Sequence, residues 1–156
     1  MLALACREIA SGEGHAAGRA LLAQLYRAQT GEALPPIVRQ PGGKPVFARG
    51  SYHFSISHTR CHVYCALSDH PIGIDAEEAD RDINLRLAEK ILSPAEYARW
   101  QAFPDPREGL LRLWVLKEAA AKHTGEGIRG YPNKTDFSPH DPRIQRHNTC
   151  LLAIIE

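Results

Sequence analysis

The segment Ile72-Gly-Ile-Asp-Ala-Glu77 carries two neighbouring acids. On a strand, Ile72, Ile74 and Ala76 face one way, and Gly73, Asp75 and Glu77 face the other. Two carboxylates then project from one face, beside a glycine that leaves room for something bulky. Adjacent carboxylates repel, and such a pair is most useful around a hard cation. The plain alternative is a solvated strand face. In Trp114-Val-Leu-Lys-Glu-Ala-Ala-Ala-Lys122, Glu118 and Lys122 are four apart and share a helical face, with Lys117 on the adjoining one. Alone, that spacing describes a surface ion pair worth about 0.3–0.5 kcal/mol. Ala119 to Ala121, however, make a slim face that another backbone could approach. A third group comprises Lys44, held in the loop Gly43-Lys-Pro45, and Ser57 and His58 at a strand end. A hydroxyl and an imidazole so placed suit phosphate oxygens, or an ordinary structural strand end.

The elements that must position these groups read as α+β. Residues 15–30 form a helix, with Leu21, Leu22 and Leu25 on one side and Gly31 as its stop. Residues 31–43, rich in Pro and Gly, read as a loop. Tyr52–Ser57 and Cys61–Leu67 alternate with period two across a short polar link, as a hairpin does, and Ile72–Glu77 is a third strand. Asn84–Leu92 reads as a helix. Ser93-Pro-Ala-Glu96 is a capping box that starts another, and Glu108–His123 is the strongest, stopped by Gly125. The stretch up to Arg146 is rich in Gly and Pro, with a short strand expected near Asp136 and Phe137. Thr149–Ile155 is a final buried strand. No internal repeat is visible. The order α, β, β, β, α, α, α, β favours antiparallel pairing.

Composition narrows the setting. Of 156 residues, 44% are hydrophobic and 24% charged, a balance that supports one domain with its own core. Nineteen Lys and Arg against eighteen Asp and Glu leave a net charge of +1, which argues against a general grip on nucleic acid or an anionic membrane. No apolar run reaches the roughly 20 residues of a membrane span. The opening Met1–Cys6 is too short for a signal segment. Cys6, Cys61, Cys65 and Cys150 form no CxxC pair and have no ligand-spaced His partner, and free thiols in a cytoplasmic protein are expected.

Four motifs in order then carry a resemblance. Gly43-Lys-Pro45, Ile56-Ser-His-Thr59, Gly73-x-Asp75-x-Glu77 and Trp114-x-x-Lys117-Glu118-x-x-x-Lys122 span Arg39 to Lys122, over half the chain. In these segments the chain resembles the 4′-phosphopantetheinyl transferases, chiefly their larger, surfactin-activating branch. The resemblance implies a single domain, residues 1–156, of pseudo-dimeric α+β fold. It would have two small lobes, about 1–70 and 71–156, with mostly antiparallel sheets, packed helices and a site in the cleft between them. It also implies Mg²⁺-dependent transfer of the phosphopantetheine arm of coenzyme A to a serine of an apo acyl or peptidyl carrier protein, as in fatty-acid or polyketide biosynthesis. Adenosine 3′,5′-bisphosphate would be released. By motif position Asp75, Glu77 and Glu118 match the metal-binding acids, and Lys122 the lysine that neutralises the pyrophosphate. Ser57, His58, Lys44 and Arg39 match groups around the coenzyme's phosphates, and Arg19 on the first helix matches a family arginine. Glu96 falls near a glutamate given the general-base role, although it is also the third residue of the capping box. Glu118 and a metal-bound water are the alternatives.

Only residues 1–43 precede Lys44. The longer N-terminal half of the larger members, with its first strand and basic segment, is therefore expected to be missing or replaced. The tail stops at Glu156, straight after the last strand. A monomer follows from the larger branch, and a trimer from the small, one-lobed one. Two rival functions remain: a non-catalytic module that binds coenzyme A or a carrier protein, and a Mg²⁺-dependent phosphohydrolase with water as acceptor. The sequence holds no additional acid or His cluster of the sort a two-metal hydrolase needs.

Overall fold

The computed structural model describes residues 1–127 and 135–156. Its first strand is β1 (Leu2–Glu8), followed by helix α1 (Gly14–Thr30) and the short strands β2 (Ile37–Arg39) and β3 (Pro45–Phe47). Strands β4 (His53–His58), β5 (His62–Ser68) and β6 (Gly73–Glu78) come next. A 3₁₀ turn at Leu85–Leu87 leads into helices α2 (Ala88–Ile91), α3 (Pro94–Gln101) and α4 (Pro106–Thr124), and the chain closes with β7 (Ile144–His147) and β8 (Cys150–Ile155).

Two three-stranded antiparallel sheets organise these elements, in the orders β1-β5-β4 and β6-β8-β7, with β2 and β3 as a separate hairpin. Both sheets share one connectivity. A leading strand is followed by helix, then by a hairpin whose second strand returns to pair with the leading one. The α+β class and the mostly antiparallel pairing are thus as expected, and the duplicated topology has no visible repeat in the sequence.

The apolar pattern explains the layers. Val63, Cys65 and Leu67 of β5 pack with Leu21, Leu22 and Tyr26 of α1. Tyr64 and Ala66, on the other face of β5, pack with Ile72, Ile74 and Ala76 around β6 and with Leu152 of β8. The opposite face of β8, through Leu151, Ala153 and Ile155, packs on Leu113, Leu116 and Ala120 of α4. The edge strands β4 and β6 then run side by side without a ladder. The hydroxyls of Ser55 and Ser57 accept from the outward N–H groups of Ile74 and Ala76, at 3.0 and 3.1 Å. Period-two serines on one strand thus satisfy the period-two donors of the other, which an unpaired edge would leave orphaned.

Several expectations change. Leu2–Glu8 is a strand where none was expected, paired with β5 from Leu2↔Ser68 to Glu8↔His62. The expected loop of 31–43 contains β2, and its turn at Gly43 (φ 85°) delivers β3. Asn84–Leu92 is no continuous helix. Asn84 caps a 3₁₀ turn by accepting from the Arg86 N–H at 3.0 Å, and Leu92 is extended ahead of the Ser93 cap. No strand forms at Asp136 and Phe137, because the Phe137 N–H is taken by Glu96 Oε1 at 2.9 Å. Strand β7 arises later, within the stretch read as irregular.

Helix α4 is fixed at both ends. Asp105 accepts from the N–H groups of Arg107 and Glu108, and Gly125 closes the C-terminus with φ 79°. The room beside Gly73 is filled by this helix: a Cβ there would lie 2.0 Å from the Ala119 carbonyl oxygen and 2.4 Å from the His123 nitrogen. The Gly73→Ala variant should therefore force β6 and α4 apart, at a cost of at least about 1–3 kcal/mol. Thermal unfolding should show a lowered Tm, and an unchanged Tm would mean the contact is not tight.

Candidate active site

Strand β6 and helix α4 supply the charged floor of a cavity of about 520 Å³. Ile72, Ile74 and Ala76 are buried, so Asp75 and Glu77 turn the other way, as the alternation requires. Trp114, Glu118 and Lys122 of α4 face them. Ser57 and His58 of β4, Gly14, His15 and Arg19 of α1, and Arg39 of β2 complete the wall.

Lys122 does not form its i,i+4 pair on the surface; its Nζ reaches Asp75 Oδ1 at 2.7 Å. The same oxygen accepts from Ser57 Oγ at 3.0 Å, while Asp75 Oδ2 is buried with no hydrogen-bond partner. Asp75 itself is only 6% exposed, a buried acid rather than a solvated one. Glu77 Oε1 accepts from Trp114 Nε1 at 3.3 Å and pairs with Arg81. Burial, and then the charge of Asp75, push the carboxyls of both Glu77 and Glu118 above the ordinary glutamate value. Three acids facing one cavity, two of them reluctant to ionise and one with an orphaned oxygen, are a donor set of the kind a divalent cation takes, although their oxygens do not all lie within 4.8 Å of one another. An oxygen-only donor set suits a hard ion such as Mg²⁺.

The same cavity also has basic groups in its wall. His58 stacks edge-on with His15, ring centres 4.9 Å apart, and α1 approaches so closely that a Cβ on Gly14 would lie 2.5 Å from the His58 ring. Burial first, and then the nearby charges of His15 and Lys122, lower the His58 pKa. Arg39 Nη1 donates to the Gly43 carbonyl at 2.8 Å. His15, Arg81 and Trp114 also line the cavity, with no role implied by the motifs. Nothing in the local sequence marks His15 or Arg81, whereas the indole of Trp114 belonged to a motif already noted.

Residues 71–153 match the family model of the 4′-phosphopantetheinyl transferase superfamily. The chain belongs to that superfamily. Among curated proteins, it is 42% identical over 89 residues to the 4′-phosphopantetheinyl transferase psf-1 of Bacillus pumilus, a match covering 55% of this chain and 38% of that protein. It is 36% identical over 78 residues to the 4′-phosphopantetheinyl transferase Sfp of Bacillus subtilis strain 168, covering 49% of this chain and 34% of that one. With the holo-[acyl-carrier-protein] synthase of Cronobacter sakazakii it shares 41% over 64 residues, covering 37% and 51%. The chain thus spans about one-third to one-half of the length of these relatives.

Asp75, Glu77, Glu118 and Lys122 lie inside the matched superfamily segment, while Arg19, Arg39, Lys44, Ser57 and His58 precede it. Two of the residues singled out by motif stand apart from the main cavity. Lys44 Nζ donates to the His123 carbonyl at 2.7 Å and to that of Ile72 at 3.5 Å, at the C-terminal end of α4. It lines a smaller adjoining cavity of about 230 Å³, whose wall includes Glu118 and Lys122. Burial lowers the Lys44 pKa. Glu96 is fully buried against Lys117 at 2.8 Å and accepts from the N–H groups of Ser93 and Phe137, so its carboxylate fastens α3 to α4.

Because Glu118 is held above its ordinary pKa by burial, its ionised form is less stable folded than unfolded, and stability falls as pH rises past about 4.5. Glu118→Gln should raise the Tm of the chelator-treated protein at pH 7. The gain should vanish near pH 4, where both side chains are neutral. Equal melting temperatures at pH 7 would contradict the desolvated carboxylate.

Proposed function

We propose that this chain transfers the 4′-phosphopantetheine arm of coenzyme A to a serine hydroxyl of an apo carrier protein. The observation that carries this reading is that one cavity gathers three acids and Lys122 together with imidazoles and arginines. A coenzyme bearing a pyrophosphate and a further phosphate needs both, and superfamily membership supports the match. Asp75, Glu77 and Glu118 would hold Mg²⁺, which neutralises developing charge on the pyrophosphate when bound. Lys122, poised on Asp75, turns to the same pyrophosphate oxygens. His58, Arg39 and Arg19 hold the phosphate at the nucleotide end. Ser57 orients Asp75 through its hydroxyl, beside the phosphates. Lys44, anchored on α4, faces the adjoining cavity.

In the transfer, the serine oxygen bonds to the phosphorus carrying the pantetheine arm. The bond from that phosphorus to the departing nucleotide breaks, and adenosine 3′,5′-bisphosphate leaves. We take Glu118 as the acceptor of the serine proton, through a carboxylate oxygen that does not hold the cation. A cytoplasmic monomer is the form that goes with this reading, following the larger branch of the superfamily.

The test is incubation with coenzyme A, Mg²⁺ and an apo acyl or peptidyl carrier protein. A mass gain of one phosphopantetheine arm on the carrier supports transfer. Nucleotide release without carrier modification would favour hydrolysis, and neither outcome would favour a binding module. Asp75→Asn, which keeps the shape of a nearly buried side chain, should lose more than tenfold in rate, at least about 1.4 kcal/mol of barrier. Activity within tenfold at saturating Mg²⁺ would remove Asp75 from the metal site.

Coenzyme A should be preferred to its dephospho form by about tenfold or more, since a hydrogen bond to a charged group contributes roughly 1.5–3 kcal/mol. His58→Ala should erase most of that preference. Undiminished discrimination would assign the 3′-phosphate to Arg39 or Arg19.

A further inference from the structure

The interface between the two sheets is apolar along most of its length, through Ala66, Ile74, Ala76 and Leu152. One end of the same rows is not. There β5 presents His62, β6 presents Glu78 and β8 presents Cys150, at 6%, 7% and 1% exposure. An imidazole, a carboxylate and a thiol in positions that otherwise hold aliphatic groups carry a desolvation cost that needs a reason.

Their ligand atoms converge. His62 Nδ1 lies 3.5 Å from Glu78 Oε1 and 3.7 Å from Cys150 Sγ, and all three atoms lie within 4.8 Å of one another. Tetrahedral zinc, with bonds of about 2.3 Å to sulfur and about 2.0–2.2 Å to nitrogen or oxygen, holds its ligand atoms roughly 3.3–3.6 Å apart. The cluster is therefore close to one face of a zinc tetrahedron. Orienting groups are in place as well: Thr59 Oγ1 donates to Glu78 Oε1 and Thr149 Oγ1 to Oε2, each at 2.6 Å. A surface depression of mixed charge, lined by Thr59, Glu77, Glu78, Asp80 and Asp82 together with Arg60 and Arg81, opens beside Glu78. Among the described residues, this is the one group of three such ligand atoms that closes so tightly.

We propose that His62 Nδ1, Glu78 Oε1 and Cys150 Sγ bind a single Zn²⁺ ion, distinct from the oxygen-lined cavity, and that the ion ties β5 of one sheet to β6 and β8 of the other. Thiolate and imidazole donors select zinc, where the cavity's carboxylates select magnesium. Binding displaces the Cys150 thiol proton to solvent and leaves the fourth position to a non-protein ligand. Nothing in this proposal depends on the transferase reading.

Cobalt(II) is the probe, titrated into the chelator-treated full chain with Mg²⁺ in excess to occupy the cavity. The expected result is a thiolate-to-cobalt charge-transfer band that saturates at one equivalent. Zn²⁺ should bleach this band and raise the Tm by mass action. Cys150→Ser should abolish the band and weaken Zn²⁺ binding by more than about 100-fold, since losing only an orienting neighbour costs about 10–100-fold. The Cys6→Ser/Cys61→Ser double variant, which removes the two partly exposed thiols, should keep the band. The proposal is overturned if wild-type protein shows no charge-transfer band, if the double variant loses it, or if Cys150→Ser binds Zn²⁺ as tightly as wild type. The wild-type and double-variant spectra decide the matter even if Cys150→Ser does not fold.

Discussion

The backbone of α4 crosses β6 at Gly73 with no space for a single methyl group, and the geometry of the site follows from that contact. A strand and a helix held this close bring residues two and four positions further along β6 opposite the facing turns of α4. Asp75 then meets Lys122, and Glu77 meets Trp114. A larger residue at position 73 would separate every one of these pairs together. The acids are held near one another against their mutual repulsion by packing, through Leu113, Leu116 and Ala120 against β8, and Lys122 offsets only part of the charge.

A second constraint joins the two sheets. Ser57 accepts from the Ala76 N–H and donates to Asp75, so one hydroxyl both closes an open strand edge and orients a site carboxylate. Lys44 acts comparably at the other end, its ammonium holding carbonyls of α4 and of the residue before β6. Groups that look like ligand contacts in the sequence are here also the fastenings of the frame. Substitution at either will mix effects on binding with effects on architecture.

The legible parts of the fold are those where periodicity and burial agree. The alternation of β5 and β6, the capping box at Ser93 and the Asp105 and Gly125 ends of α4 all announced themselves. Strand β1 did not, because its pattern is inverted: Leu2 and Leu4 are 40% and 36% exposed while the smaller Ala3 and Ala5 turn inward. Strand β7, reading Ile-Gln-Arg-His, is a polar edge with no apolar alternation to detect. In the cavity, the acids and Lys122 were legible because one strand and one helix impose their spacing. His15 and Arg81 were not, because only tertiary packing brings them to the same wall.

The duplicated connectivity dictates an order of events during folding. In each sheet the leading strand finds its partner in the last strand of its own half: Leu2 pairs with Ser68, and Gly73 with Ile155. The first sheet can close while the remainder of the chain is still unstructured. Strand β6 must wait for β8, a closure of comparable span to that between β1 and β5. Asp75 and Glu77 ride on that waiting strand. The wall that β4 and α1 give to the cavity can therefore form before the strand carrying the acids finds its partner.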